Sequence, residues 1–394
     1  MRKNSLWVAI LLAMGLLACN LGGQVSSIAN PTSTAASVPT TPPTIAPPTQ
    51  APPAQPSGKL SLAVQAPDGT ISIVAPADWA VRTFKPAFNG LLPRGGSADG
   101  TAYVLDTTSL TKAYAVDSSG SNELGFIKGA NYGLAVWPGA QGNGPLLAWG
   151  TGPTPDVTVS KLQMSQPDGT GLATLQTEDT TANPPRDLVA ESWSADGQEL
   201  FFSKEPVGIG GYIPFPGASS LFKENLTSKE VTEIIPFDPS GGPFICLDAV
   251  SPDGRYVADH CGKTTITLRD LTDGTQQTIQ APPGVSGFSV VGSARFSPDG
   301  SQVAYALAKG NPSDELGWVA VYDAFTGESK VVLTGQPGGF YNVSGWLDDQ
   351  TLLVQFDGVN CGDGCANSVW AVPLDGSSPT KVADGTFLTV VQEP

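Results

Sequence analysis

The sequence predicts an all-β fold: a seven-bladed β-propeller, with six blades as the alternative, closed by one C-terminal strand joining three N-terminal ones. Three observations predict it. A short turn recurs at Ser97-Ala98-Asp99-Gly100, Ser194-Ala195-Asp196-Gly197, Ser251-Pro252-Asp253-Gly254 and Ser297-Pro298-Asp299-Gly300. Its flanks recur with it: an apolar residue four positions after each Asp (Tyr103, Leu200, Val257, Val303), and Trp193, Val250 and Phe296 three before it in the last three copies. Finally, no stretch carries the helical apolar period together with a cap, so helix content should be very low.

Taken in chain order, residues 1–18 read as an export signal. Arg2 and Lys3 supply a positive start, and residues 6–18 are an uncharged apolar run of thirteen. As a helix that run rises only about 20 Å, short of the roughly 30 Å hydrocarbon core, so a removed segment fits better than a span. It ends in Leu16-Leu17-Ala18-Cys19, which resembles the bacterial lipobox, whose cysteine becomes the lipid-bearing first residue of the mature chain. An ordinary signal peptide cut nearby is the alternative. Residues 19–58 hold no charge and are built largely from Pro, Thr, Ser and Ala. Such a segment cannot offset its ordering entropy by burial, so a disordered stalk is expected, with a reach on the order of 100 Å when extended.

From residue 59 the chain reads as one domain to residue 394. Residues 60–65, 70–75 and 80–84 are three short strands, with Pro67-Asp68-Gly69 turning the first pair. The repeat frame then fits the turns above, Trp346 with Asp349 and Leu353, and, more loosely, the residues around Ala140 between Trp137 and the strand 146–149. Its centres at 99, 140, 196, 253, 299 and 349 lie 41 to 57 residues apart, near one four-stranded blade each. Second hairpins follow the turns: 319–322 with 330–333, 265–268 with 277–279, and 369–372 before Asp375-Gly376. These runs are β-branched or aromatic and bounded by turn residues. Residues 386–391 form a last strand without a partner, which the N-terminal three lack.

The run Ser297-Pro298-Asp299-Gly300-Ser301-Gln302-Val303-Ala304-Tyr305 resembles the TolB-type WD-like propeller repeat, and the resemblance spans about residues 59–394. It implies the propeller part alone. Members with the full TolB arrangement carry an α/β domain ahead of the propeller, where this chain has its Pro/Thr stalk. Propellers host many unrelated functions, so the repeat speaks for the fold.

Chemistry is sparse. The net charge of −16 argues against a nucleic-acid partner, because little here would displace condensed counterions. A single histidine, His260, removes mechanisms needing a His pair and is expected to be packed or at the rim. Cys246 and Cys261 flank the turn at Asp253 almost symmetrically, so hairpin pairing would place them nearly opposite each other on adjacent strands, within disulfide range. Cys361 and Cys365 could close a second, short loop; a Cys/His metal site is the weaker reading. No metal or cofactor is expected, although the turn Asp323 to Glu328 faintly resembles the blade motif of quinone-cofactor propellers. The longer loops, 204–219, 309–317 and 357–367, should share one face, and Tyr212, Phe215, Asp314 and Asp363 are its candidate binding residues.

The sequence therefore reads as an extracytoplasmic lipoprotein, membrane-attached through Cys19 and monomeric, whose propeller binds a protein or a cell-envelope glycan. The alternative is a carbohydrate- or lactone-directed hydrolase or lyase using carboxylates at the channel.

Overall fold

The computed structural model describes residues 59–393, apart from 86–90, 97–100, 107–111, 118, 140–143, 153–157, 182–185, 207–213, 216–217, 237–245, 261–263, 336 and 360–366. Within these residues every regular element is a β-strand, and the strands, numbered β1 to β28 in chain order, form seven four-stranded antiparallel sheets. Six sheets use consecutive strands. The seventh sets β28 (Thr386–Glu393) beside β1 (Lys59–Gln65), β2 (Ile71–Ala75) and β3 (Ala80–Phe84). This is the predicted seven-bladed propeller with the predicted closure, and β28 pairs with β1 along its whole length, from Lys59↔Glu393 to Gln65↔Thr386. The expected signal peptide (1–18), Cys19 and the stalk (19–58) lie outside the described residues.

Each blade begins at the channel with an inner strand: β4 (Leu91–Gly96), β8 (Ala130–Trp137), β12 (Arg186–Trp193), β16 (Cys246–Val250), β20 (Val290–Phe296), β24 (Gly339–Asp348) and β28. The second strands carry the apolar runs and are buried on both faces, as in β5 (Ala102–Asp106) and β17 (Tyr256–His260). Outer strands such as β15 (Val231–Ile235) and β27 (Thr380–Asp384) are largely exposed. Stacking sheets around a ring produces this gradient, because neighbouring blades cover both faces of every middle strand. Glu233 and Lys381 charge the outer edges, which discourages further strand pairing.

The recurring turn is built by its own side chains. Ser297 Oγ donates to Asp299 Oδ1 (2.6 Å) and accepts from Gln302 N (2.9 Å), while Asp299 Oδ1 also accepts from Ser301 N. The same exchange holds Ser194 to Asp196 and Ser251 to Asp253. The tryptophan three residues before the turn Asp clamps blades together. Trp346 Nε1 donates to Arg295 O (3.1 Å) and Trp193 Nε1 to Ala135 O (3.3 Å), each in the preceding blade. Trp137 donates forward to Ala195 O and lies over Gly197, where φ is 70° and a Cβ would fall 2.6 Å from the indole. That glycine is required twice, by the turn and by the ring above it.

Candidate functional site

The inner strands enclose a channel with a cavity of about 1000 Å³. Every inner strand carries a β-bulge where it pairs with its second strand, so two residues oppose one at channel level. In four blades the bulge falls just before the residue four positions ahead of the turn Asp. Ser192, Ala249, Arg295 and Gly345 therefore form one tier, while Glu191, Asp248 and Ser344 come from the bulges themselves. Six of these seven, all but Gly345, line the cavity.

The polar centre of the wall is Asp248. Its Oδ2 lies 2.9 Å from His260 Nδ1, and its Oδ1 accepts from Ser293 N at 2.9 Å. Its backbone oxygen accepts from Arg295 Nη1, also at 2.9 Å. On the other side of the imidazole, Nε2 lies 2.9 Å from the Phe215 carbonyl oxygen, which can only accept. Burial opposes a charge on His260, but the bond and the field of Asp248, the Phe215 carbonyl and Asp259 outweigh it and raise the pKa above the ordinary histidine value. The ring thus sits between two acceptors, an arrangement that favours its protonated form. Ser293 is held at φ 55°, in the left-handed region, by its bond to Asp248 and by Oγ bridging to the backbone of Val343.

The loop between β13 (Glu199–Pro206) and β14 (Leu221–Asn225) reaches this network. Ala218 pairs with Leu247 on the channel edge of β16, and Phe215 crosses further to pack edge-on against Phe340 at 5.6 Å. Gly292 makes room for it: a Cβ there would sit 2.5 Å from Phe215 Cβ and 2.8 Å from the His260 ring. Phe215 was expected on an open face. It is 3% exposed instead, because apolar contacts in the neighbouring blades outcompete solvent for the ring.

The other predicted residues fall differently. Asp314 is exposed and paired with Lys309 at 3.1 Å, so it belongs to the loop surface. Tyr212, Asp363, Cys261, Cys361 and Cys365 lie outside the described residues. Cys246 pairs with His260, the residue before Cys261, because the bulge at Asp248 shifts the ladder by one. Cys246 does not stand as a free thiol. The turn Asp323 to Glu328 joins β22 (Gly317–Asp323) to the outer strand β23 (Glu328–Thr334), away from the channel.

Two carboxyls above the channel are also perturbed by burial. Asp187 is pushed up to about 6, and Glu205, its cross-strand partner, is raised despite accepting from Ser219 N and Oγ. Neither lines the cavity. Sequence reasoning missed Asp248, Ser192 and Arg295. A signal for the last was present, since Arg295 is the one charged side chain among Ser192, Ala249, Arg295 and Gly345 at the same place in the repeat.

No protein-family model matches the chain, and no curated protein matches it in sequence. Among solved structures 1065 chains match, a breadth that speaks for a widely used fold. One is dihydro-heme d1 dehydrogenase NirN (13% identity, 87% of this chain and 76% of that one, TM-score 0.49). Another is the Swd1 β-propeller domain from Myceliophteria thermophila (13% identity, 80% and 96%, TM-score 0.49). A third, a prolyl endopeptidase at 16% identity and TM-score 0.51, covers 85% of this chain, which spans about half (48%) of that protein. At these identities the likeness is one of fold.

Proposed function

We propose that the protein is a TolB-type lipoprotein held at a membrane by lipid on Cys19, whose propeller is an extracytoplasmic binding head for a protein or a cell-envelope glycan. The observation that carries the binding role is the channel cavity of about 1000 Å³, whose wall joins apolar strand residues to a few fixed polar groups. The hydrolase alternative needs channel carboxylates free to exchange protons. Asp248 is instead committed through both oxygens, to His260 and to Ser293 N, which favours recognition over turnover. The chain's acidity and the Pro/Thr stretch 19–58 support a head displayed at a distance from an anionic surface. A bridge between Cys246 and Cys261 belongs to the same reading, as does one between Cys361 and Cys365.

Labelling cells with radioactive palmitate tests the anchor: wild-type protein should take up label and fractionate with membranes, and Cys19→Ser should do neither. Unlabelled wild-type protein would sink the anchor. The binding role is tested by passing solubilised envelope protein and glycan over immobilised full-length protein. Retention should depend on the channel and fall with Phe215→Ala. Release of product from glycosides or lactones, with no retained component, would instead support the hydrolase.

A further inference from the structure

Arg295 is unusual in its surroundings. Its Nη1 is fixed by two carbonyl oxygens, of Asp248 (2.9 Å) and Ala294 (2.7 Å). Its Nε and Nη2 donate to no described residue, and no carboxylate among the described residues lies in ion-pair range of it. The nearest acid by contact, Asp248, has both carboxylate oxygens engaged elsewhere, by His260 and by Ser293 N. Burial lowers the guanidinium's pKa, yet an Arg stays charged throughout the usable pH range. The cavity wall therefore presents one oriented cation with a donor edge that no described residue uses.

The repeat explains why there is room beside it. At the same place in the repeat the two adjacent blades supply Ala249 and Gly345, and the blade beyond Ala249 supplies Ser192, so one long side chain extends among small ones. Ser192 Oγ, in the same cavity, is buried with no hydrogen-bond partner. An orphaned hydroxyl and a guanidinium edge that no described residue uses, both lining one cavity, are the complement of a ligand with an anionic group and neutral polar ones. The charge count narrows the anion. Among the described residues Arg295 is the one cation lining the cavity, and Glu191 shares that lining, so a dianionic phosphate would meet a carboxylate without a second described cation to balance it. A carboxylate needs only Arg295.

We propose that the channel binds a carboxylate-bearing sugar, a uronate, with the carboxylate on the Nε–Nη2 edge of Arg295 and ring hydroxyls toward Ser192 and Ser344. This rests on the binding-head reading and names its ligand class. Titration calorimetry of the full-length chain in detergent, with glucuronate, glucose and glutarate as probes, tests it. Glucuronate should bind at least tenfold tighter than either glucose or glutarate, and Arg295→Gln should remove that preference. Because Arg295 also ties two carbonyls, Ala249→Asp provides a second route. It adds a negative charge to the same tier and should abolish glucuronate binding while sparing glucose.

Equal binding of glucuronate and glucose, or an unchanged preference in both variants, overturns the proposal. Glutarate binding as tightly as glucuronate overturns the sugar assignment, and no binding by any probe overturns the proposal whole. None of these results touches capture of an envelope component in the preceding experiment, so the two readings fail separately.

Discussion

His260 faces an acceptor at each ring nitrogen, Asp248 Oδ2 and the Phe215 carbonyl, and it is the sole histidine of the chain. Its Hε1 proton resonance is therefore a single, assignable reporter. It should titrate above the ordinary value of about 6.5. A raised folded pKa contributes stability that is complete below 6.5 and is lost as pH rises through the folded value. In Asp248→Asn the amide can still accept from Ser293 N and donate to a neutral ring, so only the Phe215 carbonyl and Asp259 oppose burial and the resonance should titrate at lower pH than in the wild type. An unchanged titration in Asp248→Asn would show that the carboxylate does not hold the charge. Asp187 is the opposite case: burial pushes its carboxyl up to about 6, and its Oδ1 is buried without a partner. Its folded pKa lies above the unfolded one, so ionisation costs stability as pH rises from about 4 to 6 and beyond. Asp187→Asn should stabilise at pH 8 by about 1 kcal/mol, discounting for partial exposure, with the gain vanishing at pH 4. Thermal melts at the two pH values check it.

At the scale of the strand, the turn and the clamp were legible in sequence while the bulge was not. Ser297, Asp299 and Gly300 announce their turn because each residue type is demanded by a bond or a dihedral angle within it. The predicted strand 319–322 reappears within β22 (Gly317–Asp323), because a middle strand must be apolar on both faces, and 80–84 reappears as the outer strand β3. A bulge adds one residue without changing composition, and Asp248 looks like any polar residue in a half-buried strand. Missing it hid both the one-residue shift that sets Cys246 opposite His260 and the channel tier that contains Arg295. The clamp gives this scale its prediction. Trp346→Phe keeps the aromatic body but strands the Arg295 carbonyl, at a cost of about 1–2 kcal/mol. Calorimetric melting should fall by a few degrees, and an unchanged midpoint would show that the indole bond is immaterial to blade docking.

Across the whole molecule, each of the seven blade boundaries is crossed by continuous chain, and the break in the ring lies inside one blade, which is assembled from β28 and β1 to β3. Lys59 pairs directly with Glu393, so the ends of β1 and β28 already meet at the position a hairpin turn would occupy. The fold therefore needs β28 as an inner strand but is indifferent to which end of the chain delivers it. Moving residues 386–393 ahead of Lys59 through a short Gly-rich turn should preserve the seven sheets and the melting midpoint, while the loop that formerly preceded β28 becomes the new C-terminus. Deleting the same residues should do far more than remove one strand. Leu388 and Val391 are buried against Ile71, Ile73 and Val104, bridging the first blade to the next, and Phe387 lies with Leu353 and Val369 of the last. Truncation exposes those apolar faces on both sides of the gap and leaves β1 as a bare channel edge, open to pairing with another copy. The expected signature is a permuted chain with one sharp calorimetric transition and a truncated chain with a broad one and concentration-dependent association. A truncated chain that melts as sharply as the intact one would mean that the ring is held by its blades pairwise and does not depend on the clasp at its ends.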